Sequence, residues 1–273
     1  MAFLARPDGV VIHHESHGPQ PHGATFVFFN PLTGDSGMWL QRIAPALEAR
    51  GHGWLVFDLR GQKASPVAPT AAITVRHIVE DAKAVIEAEE PVRPIYVGLS
   101  IGGLFAANVH LDGPRAKAML LINTLREDGP RLAWLNEALA RCARTGGLRL
   151  LRDLYLPLLF GERWLAANRD QFLTDEPYTG LDPAHADVRL LASAGTADWN
   201  VPWEKLELPV IVMTGRQDRV FYDEEVVRRL AARLPNALRV DLAEAGHLIP
   251  AEDPEAVVEA CLALAGRIGE PIP

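Results

Sequence analysis

The chain has 273 residues, of which 48% are hydrophobic and 23% are charged, a composition typical of globular proteins that can bury a large core. Its formal net charge is -8, which argues against nucleic acid or an acidic membrane as the partner, because both are recognised by a basic face. A small anionic substrate is not excluded, since local charge in a pocket can oppose the net charge.

In chain order, the N-terminal segment comes first. Met1 to Val11 lacks a charged region followed by an apolar stretch, so we expect no signal peptide. No window approaches the roughly 18 uninterrupted apolar residues of a membrane-spanning helix. We therefore predict a cytoplasmic protein that does not bind membranes. The two cysteines, Cys142 and Cys261, lie among apolar neighbours and are expected to be free thiols.

The first half of the chain alternates strand and helix patterns. A short β-branched strand is predicted at Gly9 to His14. Continuous apolar runs then predict strands buried on both faces, at Ala24–Phe29, Trp54–Phe57, Pro94–Leu99 and Ala118–Ile122. Helical spacing of apolar residues predicts helices between them, at Trp39–Leu47, Thr74–Ala88 and Ile101–Leu111.

The second half interrupts this alternation. From Arg126 to Lys205 the sequence is leucine-rich and helical, without a strand pattern. The alternation then resumes, with strands at Val210–Met213 and Leu238–Leu242 and helices at Glu224–Leu234 and Pro254–Arg267. The order predicts an α/β fold with a mostly parallel, doubly wound sheet. We expect a core domain of residues 1–125 and 206–273, and a helical cap, 126–205, over the carboxyl edge of the sheet, where ligands bind in such folds.

A serine lies between one buried strand and the next helix. Gly98-Leu99-Ser100-Ile101-Gly102 fits the pattern G-x-S-x-G in the strand–turn–helix context of a nucleophile elbow. Glycines on both sides allow the strand and helix to approach closely, and the helix N-terminus favours a developing oxyanion. The alternative is a serine that merely caps the helix beginning at Ile101. We predict that Ser100 is a catalytic nucleophile.

A serine hydroxyl needs a neighbouring base to react at neutral pH. His247 follows the last predicted strand in the sequence EAGHLIP, and it comes after every plausible acid that follows Ser100. We therefore predict His247 as the base. The remaining histidines are expected to be structural or exposed: His13, His14, His17, His22, His52, His77, His110 and His185.

The acid that orients the base should lie just past the carboxyl end of a strand. Asp218 has this position in TGRQD, after the strand at Val210, and would hold the imidazole tautomer. Asp128, after an earlier strand, is a second candidate. Asp223 and Glu224 are expected to open the next helix, where acidic side chains suit the helix dipole.

Two backbone N–H groups would hold the oxyanion. One is that of Ile101, which follows the nucleophile, and the other comes from the loop after the strand at Ala24. Pro31 has no N–H, so we assign the second donor to Leu32. The Asn30-Pro31 pair predicts a turn whether or not the loop supplies an oxyanion donor, so the pair does not decide between the two.

The chain resembles the α/β-hydrolase superfamily over nearly its full length. The matching pieces are NPLTGDSGMW, FDLRGQKAS, VGLSIGG, TGRQD and EAGHLIPAEDPEAV. Gln62 and Lys63 depart from the usual His-Gly of the second piece. Asn30 in place of His-Gly, the following Met38-Trp39 and the LINT sequence ending at Thr124 resemble the 3-oxoadipate enol-lactonases.

The resemblance implies cofactor-free hydrolysis of a small lactone or ester in a pocket roofed by helices. It implies that Ser100, Asp218 and His247 form the catalytic triad and that Trp134 lines the pocket. Asn30 and Leu248 are further expected pocket residues. A carboxylated substrate would require a cation, for which Arg126 and Arg131 are the candidates, although either arginine alone more commonly serves surface solvation.

Other functions use the same residues. A general carboxylesterase, a C–C bond hydrolase, another ring-degradation hydrolase and a perhydrolase side activity are all compatible with the triad. Dehalogenases and epoxide hydrolases require an aspartate where this chain has Ser100. No metal-binding motif suggests a metallo-lactonase, and no cofactor or metal is expected. A non-catalytic protein that binds a small ligand is the alternative of another class. A homo-oligomer is compatible with the sequence, through the cap or the sheet edge.

Overall fold

One sheet of eight strands forms the centre of the computed structural model, which describes residues 1–269. The strands are β1 (Ala2–Ala5), β2 (Val11–His17), β3 (Thr25–Phe29), β4 (Gly53–Phe57), β5 (Ile95–Leu99), β6 (Ala118–Ile122), β7 (Val210–Gly215) and β8 (Ala237–Leu242). Their order across the sheet is β1-β2-β4-β3-β5-β6-β7-β8. Strands β3 to β8 pair in parallel, and β1 and β2 are antiparallel. The predicted mostly parallel α/β sheet is confirmed.

Helices cover both faces of this sheet. They are α1 (Gly37–Leu40), α2 (Ile43–Glu48), α3 (Val75–Glu89), α4 (Ile101–Asp112), α5 (Pro130–Leu159), α6 (Glu162–Phe172), α7 (Ala186–Ser193), α8 (Glu224–Ala231), α9 (Ile249–Glu252) and α10 (Pro254–Gly269). Helices α3, α4 and α8 build the core on one face, and α1, α2 and α10 build it on the other. Because both faces are covered, every residue of β3, β5 and β6 is buried, as their continuous apolar runs predicted.

The edges of the sheet differ from the prediction. Strand β1 was not predicted, because it has only four residues and most of them are exposed, so no buried run marks it. Strand β2 begins and ends later than expected, since its ladder with β4 extends to His17. The single helix predicted at Trp39–Leu47 is two short helices, separated at Arg42, whose φ of -138° is not helical.

Between β6 and β7 the chain forms helices α5 to α7 and two short 3-10 turns. Helix α5 bends at Gly146 and Gly147, where the φ of Gly147 is +74°. A Cβ atom at Gly147 would lie 2.4 Å from the Thr179 carbonyl oxygen, so this bend favours glycine. The division of the chain into a core domain and a cap at 126–205 stays a prediction. Within the described residues, no helix has both the length and the apolar character that crossing a membrane requires.

Candidate active site

Ser100 occupies a strained turn between β5 and α4. Its φ is +57° and its ψ is -125°, a backbone conformation that is uncommon for residues other than glycine. The Ser100 N–H donates a hydrogen bond of 2.7 Å to the Ile122 carbonyl in β6, which holds the turn against the neighbouring strand. The Ser100 side chain makes no capping hydrogen bond to α4. The helix-cap alternative is therefore not supported, and the hydroxyl is directed elsewhere.

The glycines around Ser100 are required by close packing. A Cβ atom at Gly98 would lie 2.4 Å from the Cα of Gly103, and one at Gly102 would lie 2.3 Å from the Phe29 carbonyl oxygen. Real Cβ atoms do not approach other heavy atoms this closely, so larger residues would push α4 away from β3 and β5. The G-x-S-x-G pattern thus follows from the tight contact between this helix and the two strands.

His247 and Asp218 form a buried pair beside this turn. Nδ1 of His247 lies 2.6 Å from Oδ2 of Asp218, and the two residues are 4% and 3% exposed. The other carboxylate oxygen of Asp218 accepts backbone N–H bonds from Val220 and Phe221, at 3.0 Å and 2.9 Å. With its proton on Nδ1, the imidazole has a lone pair on Nε2 that can accept a proton.

The charge of Asp218 is stabilised within this pair. Burial by itself would raise the pKa of the Asp218 carboxyl group. The positive charge that His247 can carry, its hydrogen bond and the two backbone N–H bonds act in the opposite direction, and they hold that pKa below its ordinary value. Asp218 is therefore ionised at neutral pH and can stabilise an imidazolium next to it.

The other acidic candidates have different partners. Asp128 accepts a hydrogen bond of 3.2 Å from the Trp199 N–H. Asp223 caps α8 by accepting the Val226 N–H at 3.1 Å, as predicted for a residue that opens this helix. The structure thus brings Asp218, among the acids considered, into contact with His247.

Asn123, which the sequence analysis mentioned only as part of a motif, connects the two loops of this pair. Its Nδ2 donates to the Gly246 and His247 carbonyls, at 3.1 Å and 2.8 Å. Its Oδ1 accepts the Gly215 N–H at 2.9 Å, at the end of β7. The φ of Asn123 is +48°, a conformation that asparagine adopts more readily than most residues. A polar residue directly after a buried strand was the available signal.

Asn30 does not line the pocket, contrary to the prediction. It is fully buried, and its Oδ1 accepts a hydrogen bond of 2.8 Å from Trp39 Nε1. Its Nδ2 donates to the Phe57 carbonyl and to Gln62 Oε1, at 2.9 Å and 3.0 Å. Both amide N–H groups and Oδ1 are thus bound within the protein, and Asn30 shapes the loop without facing the cavity.

Gln62, noted above as a departure from the family pattern, supports the same loop from the other side. Its Nε2 donates to the Pro31 carbonyl at 2.8 Å and more weakly to that of Leu32 at 3.4 Å. Together with Asn30 it fixes the segment that carries the Leu32 N–H. This role of Gln62 was not predicted, although its departure from the residue usual in the family was a signal for it.

A cavity of about 100 Å³ opens beside Ser100 and is lined mainly by apolar side chains. Ser100, His247, Leu32, Ile101 and Leu248 all line it. The opposite wall comes from helix α5, whose side chains on both sides of the Gly146 bend face the cavity, namely Leu132, Asn136, Leu139, Leu151, Tyr155 and Leu159. An engineered cavity of about 150 Å³ accommodates benzene, so this one suits a small substrate.

Trp134 does not line this cavity, and its assignment to the pocket was wrong. Its side chain is 79% exposed on the outer face of α5. Leu132, Asn136 and Leu139 face the cavity at helical spacing, which places residue 134 on the opposite side. Arg131 is likewise outside the cavity, and it donates to the Val220 carbonyl at 2.9 Å.

Arg126 lines the cavity, next to Ser100. Its Nη2 donates to Ser100 Oγ at 3.0 Å and to the Asn123 carbonyl at 2.8 Å. The guanidinium is 4.8 Å from the ring centre of Trp199 and 4.5 Å from that of Phe221. Burial lowers the pKa of Arg126 to about 10, which still leaves the side chain charged at neutral pH.

The strained serine, the buried histidine–aspartate pair and the cleft above the carboxyl ends of parallel strands define an α/β hydrolase. The chain belongs to the alpha/beta hydrolase fold family, which matches residues 24–254.

The chain is similar over most of its length to several named proteins. It is 25% identical, over 245 residues, to a Pseudomonas syringae pv. syringae protein described as a candidate carbamate hydrolase, RutD, covering 88% of this chain and 93% of that one. A solved hydrolase from Pseudomonas aeruginosa PA01 superposes with a TM-score of 0.79 at 26% identity, covering 97% and 98%. The enol-lactonase of Burkholderia xenovorans LB400 superposes with a TM-score of 0.76 at 23% identity, covering 96% and 99%, which supports the fold alone.

Proposed function

We propose that this protein is a cofactor-free serine hydrolase that cleaves a small carboxylic ester or lactone through Ser100, His247 and Asp218. The observation that carries the proposal is the convergence of a strained serine and a carboxylate-paired histidine on one cavity. The pair leaves Nε2 of the imidazole as a base, and the cavity gives a carbonyl carbon access to the serine.

The proposed reaction has two stages. Ser100 Oγ attacks the carbonyl carbon while its proton passes to His247 Nε2, and the N–H groups of Leu32 and Ile101 stabilise the tetrahedral oxyanion. The C–O bond of the leaving alcohol or enol then breaks, with that oxygen taking the proton from His247. Water, deprotonated by His247, attacks the acyl-enzyme. The bond between the carbonyl carbon and Ser100 Oγ then breaks, Oγ takes the proton from His247, and the acid is released. An enol is an easy leaving group, so a lactone with an enol oxygen would be a favourable substrate.

The experiment is steady-state hydrolysis of a panel that includes p-nitrophenyl acetate and butyrate, enol lactones and unactivated lactones. We expect kcat/KM of about 10⁴ M⁻¹s⁻¹ or more for the preferred class. Ser100→Ala should lower kcat by about 10⁶-fold, as loss of a serine nucleophile does in a comparable triad. A fluorophosphonate should label Ser100 in the parent protein and leave Ser100→Ala unlabelled.

Two results would contradict the proposal. Equal hydrolysis by the parent and by Ser100→Ala would remove Ser100 from the chemistry. Absence of both labelling and hydrolysis would favour a ligand-binding protein that has kept the hydrolase fold.

Carbamate hydrolysis is a second candidate, favoured by the similarity to RutD over 88% of this chain. The same attack on a carbonyl carbon would release ammonia or an amine in place of an alcohol. Adding a small carbamate to the panel separates the two candidates. A kcat/KM for the carbamate above that for every ester and lactone would make the carbamate the better substrate class.

A further inference from the structure

Arg126 is a buried cation without a carboxylate in contact. It is 8% exposed, and within residues 1–269 no aspartate or glutamate approaches its guanidinium within ion-pair distance. The charge of Asp218 reaches it only through space. Burying a charged group without a counter-ion has a high free-energy cost, so such a group usually has a function that uses its charge.

The guanidinium is held in place and offers one edge to the cavity. Nε donates weakly to the Thr124 carbonyl at 3.4 Å, and Nη2 donates to Asn123 and Ser100. Among the described residues no acceptor binds Nη1. The rings of Trp199 and Phe221 lie against the guanidinium and restrict its movement. Arg126 thus lines the cavity that also contains Ser100, and its Nη2 is in contact with the serine oxygen.

A carboxylate is the ligand that matches this arrangement. Arginine binds carboxylates with parallel, charge-assisted hydrogen bonds, and these are strongest where water is excluded. The cavity wall is otherwise mainly apolar, so within the described part of the chain Arg126 is the cation that lines it. An incoming carboxylate could take over the hydrogen bond now made to Ser100 Oγ, which would leave the hydroxyl free for His247.

We infer that Arg126 forms a carboxylate subsite and that the substrate is an acidic ester or lactone whose carboxylate lies close to the scissile carbonyl. This inference rests on the proposed function and adds its substrate class. The contact of Arg126 with Ser100 limits how far the substrate carboxylate can lie from the scissile carbonyl. The attacked carbon lies about 3 to 3.5 Å from Oγ, and a bound carboxylate oxygen lies about 2.7 to 2.9 Å from the guanidinium.

Nη2 is itself 3.0 Å from Oγ, so a short substrate can place its carboxylate on Arg126 and its scissile carbonyl on Ser100 at the same time. Half-esters of the malonate and succinate type, with about one or two carbons between the carboxyl groups, meet this requirement. The cavity of about 100 Å³ favours these short acids over a chain as long as that of adipate.

The experiment compares monomethyl malonate, succinate and adipate with their dimethyl esters, by measuring methanol release. We expect the parent to prefer the malonate or succinate half-ester to its dimethyl ester by at least about tenfold in kcat/KM, and to show no such preference for adipate. Arg126→Gln should abolish this preference, which lowers the ratio of half-ester to dimethyl ester by about tenfold or more. Arg126→Lys keeps the charge without the planar fork and should restore part of the ratio.

Arg141→Gln is the matched control. Arg141 is exposed on α5, where it pairs with Glu137, and its removal changes the net charge equally without touching the cavity. It should leave the ratio unchanged. Circular dichroism and the melting temperature of each variant show whether it is folded. The parent protein also tests the inference without any variant, because its ratio of half-ester to dimethyl ester should be higher for malonate or succinate than for adipate.

Binding to Ser100→Ala separates this inference from the proposed function. Calorimetry should show the succinate or malonate half-ester binding more tightly than its dimethyl ester, and the difference should disappear in Ser100→Ala/Arg126→Gln. If neutral esters are hydrolysed by Ser100 at least as well as half-esters, the inference is overturned and the proposed function stands. If no ester is hydrolysed but the half-ester binds through Arg126, the subsite stands and the proposed function fails. Equal binding of both esters overturns the subsite.

Discussion

The carboxyl edge of the sheet and the helical segment between β6 and β7 build opposite walls of one cavity by different means. At the sheet edge, Ser100 bonds to β6 through its backbone, and Asn123 ties the loops of His247 and β7 together. On the other side, α5 lines the cavity, and only its residues near the Gly146 bend are buried. The wall with Ser100 is fixed by main-chain bonds, whereas the facing wall is formed largely by side chains of α5 that are only partly buried.

This difference indicates how the two walls divide their tasks. Catalytic groups need positions defined within fractions of an ångström, which buried backbone bonding provides. The shape of the cavity depends on leucines and Tyr155 of α5, which can change without disturbing the sheet. We therefore expect substitutions at the sheet edge to affect kcat or folding, and substitutions on the outer face of α5 to affect neither.

The sharpest test of the sheet edge is Asp218→Asn. The asparagine amide can donate to Nδ1 of His247 and thereby select the tautomer that has no lone pair on Nε2. We expect kcat for the preferred ester to fall by about 10⁴-fold, with a smaller change in KM. Steady-state kinetics provides the measurement. Asp128→Asn is the control, since an asparagine amide oxygen can still accept the hydrogen bond from the Trp199 N–H. A larger loss in this control than in Asp218→Asn would make Asp128 the acid.

Unfolding by urea should separate the two regions by stability. Phe28 is fully buried in β3 and stacks against Trp39, so Phe28→Ala removes core contacts and leaves a cavity. We expect it to lower the free energy of unfolding by about 3 to 5 kcal/mol. Trp134→Ala removes a larger but exposed side chain and should change the free energy of unfolding by about 0.5 kcal/mol or less. Similar losses for both variants would mean that α5 is packed as firmly as the sheet.

Acid should destabilise the core behind the nucleophile through His110. This side chain is buried near the end of α4, where its Nδ1 accepts the Ala116 N–H at 3.1 Å. Burial, and to a smaller extent Arg115, lowers the pKa of His110 to about 4. The unfolded chain, whose histidine has its ordinary pKa near 6.5, therefore takes up a proton first as pH falls. The contribution of buried, neutral His110 to the free energy of unfolding is present above pH 6.5 and is lost between pH 6.5 and about 4.

The expected loss over that pH interval is up to about 3 kcal/mol from this residue. His110→Gln should reduce it, because glutamine can accept the same hydrogen bond without titrating. Urea unfolding of both proteins at several pH values measures the difference. His22→Gln, at an exposed position, is the control and should follow the parent. If the free energy of unfolding falls equally with pH in the parent and in His110→Gln, His110 is not the source of the acid sensitivity.

The smallest expected effect concerns the positioning of His247. Asn123→Gly keeps a residue that tolerates positive φ but removes the amide that bridges Gly215 and His247. We expect kcat to fall by about 10- to 100-fold, because a small displacement of a catalytic base has effects of that size. KM should change less. A change in KM with kcat intact would instead place Asn123 in substrate binding, and a shift in melting temperature alone would indicate a structural role.

Much of the fold was predictable because its signals are local. Continuous apolar runs identified the strands buried on both faces, and the alternation of strand and helix predicted the parallel sheet. The edge strand β1 escaped prediction because exposed residues have no constraint on their hydrophobicity. The break at Arg42 escaped it because helical spacing continues across two helices that lie end to end.

The sequence by itself determined where Ser100 lies, because a turn between a buried strand and a helix, packed through glycines, is specified by neighbouring residues. Only the tertiary structure decided which side chains share the cavity. Contacts such as that of Arg126 with Ser100, or of Asn123 with His247, join residues that are distant in the chain and depend on how loops end and helices bend. For the same reason Trp134 and Asn30 were misassigned. Which face of α5 meets the cavity, and which partners bind the Asn30 amide, depend on the packing of elements that are distant in the chain.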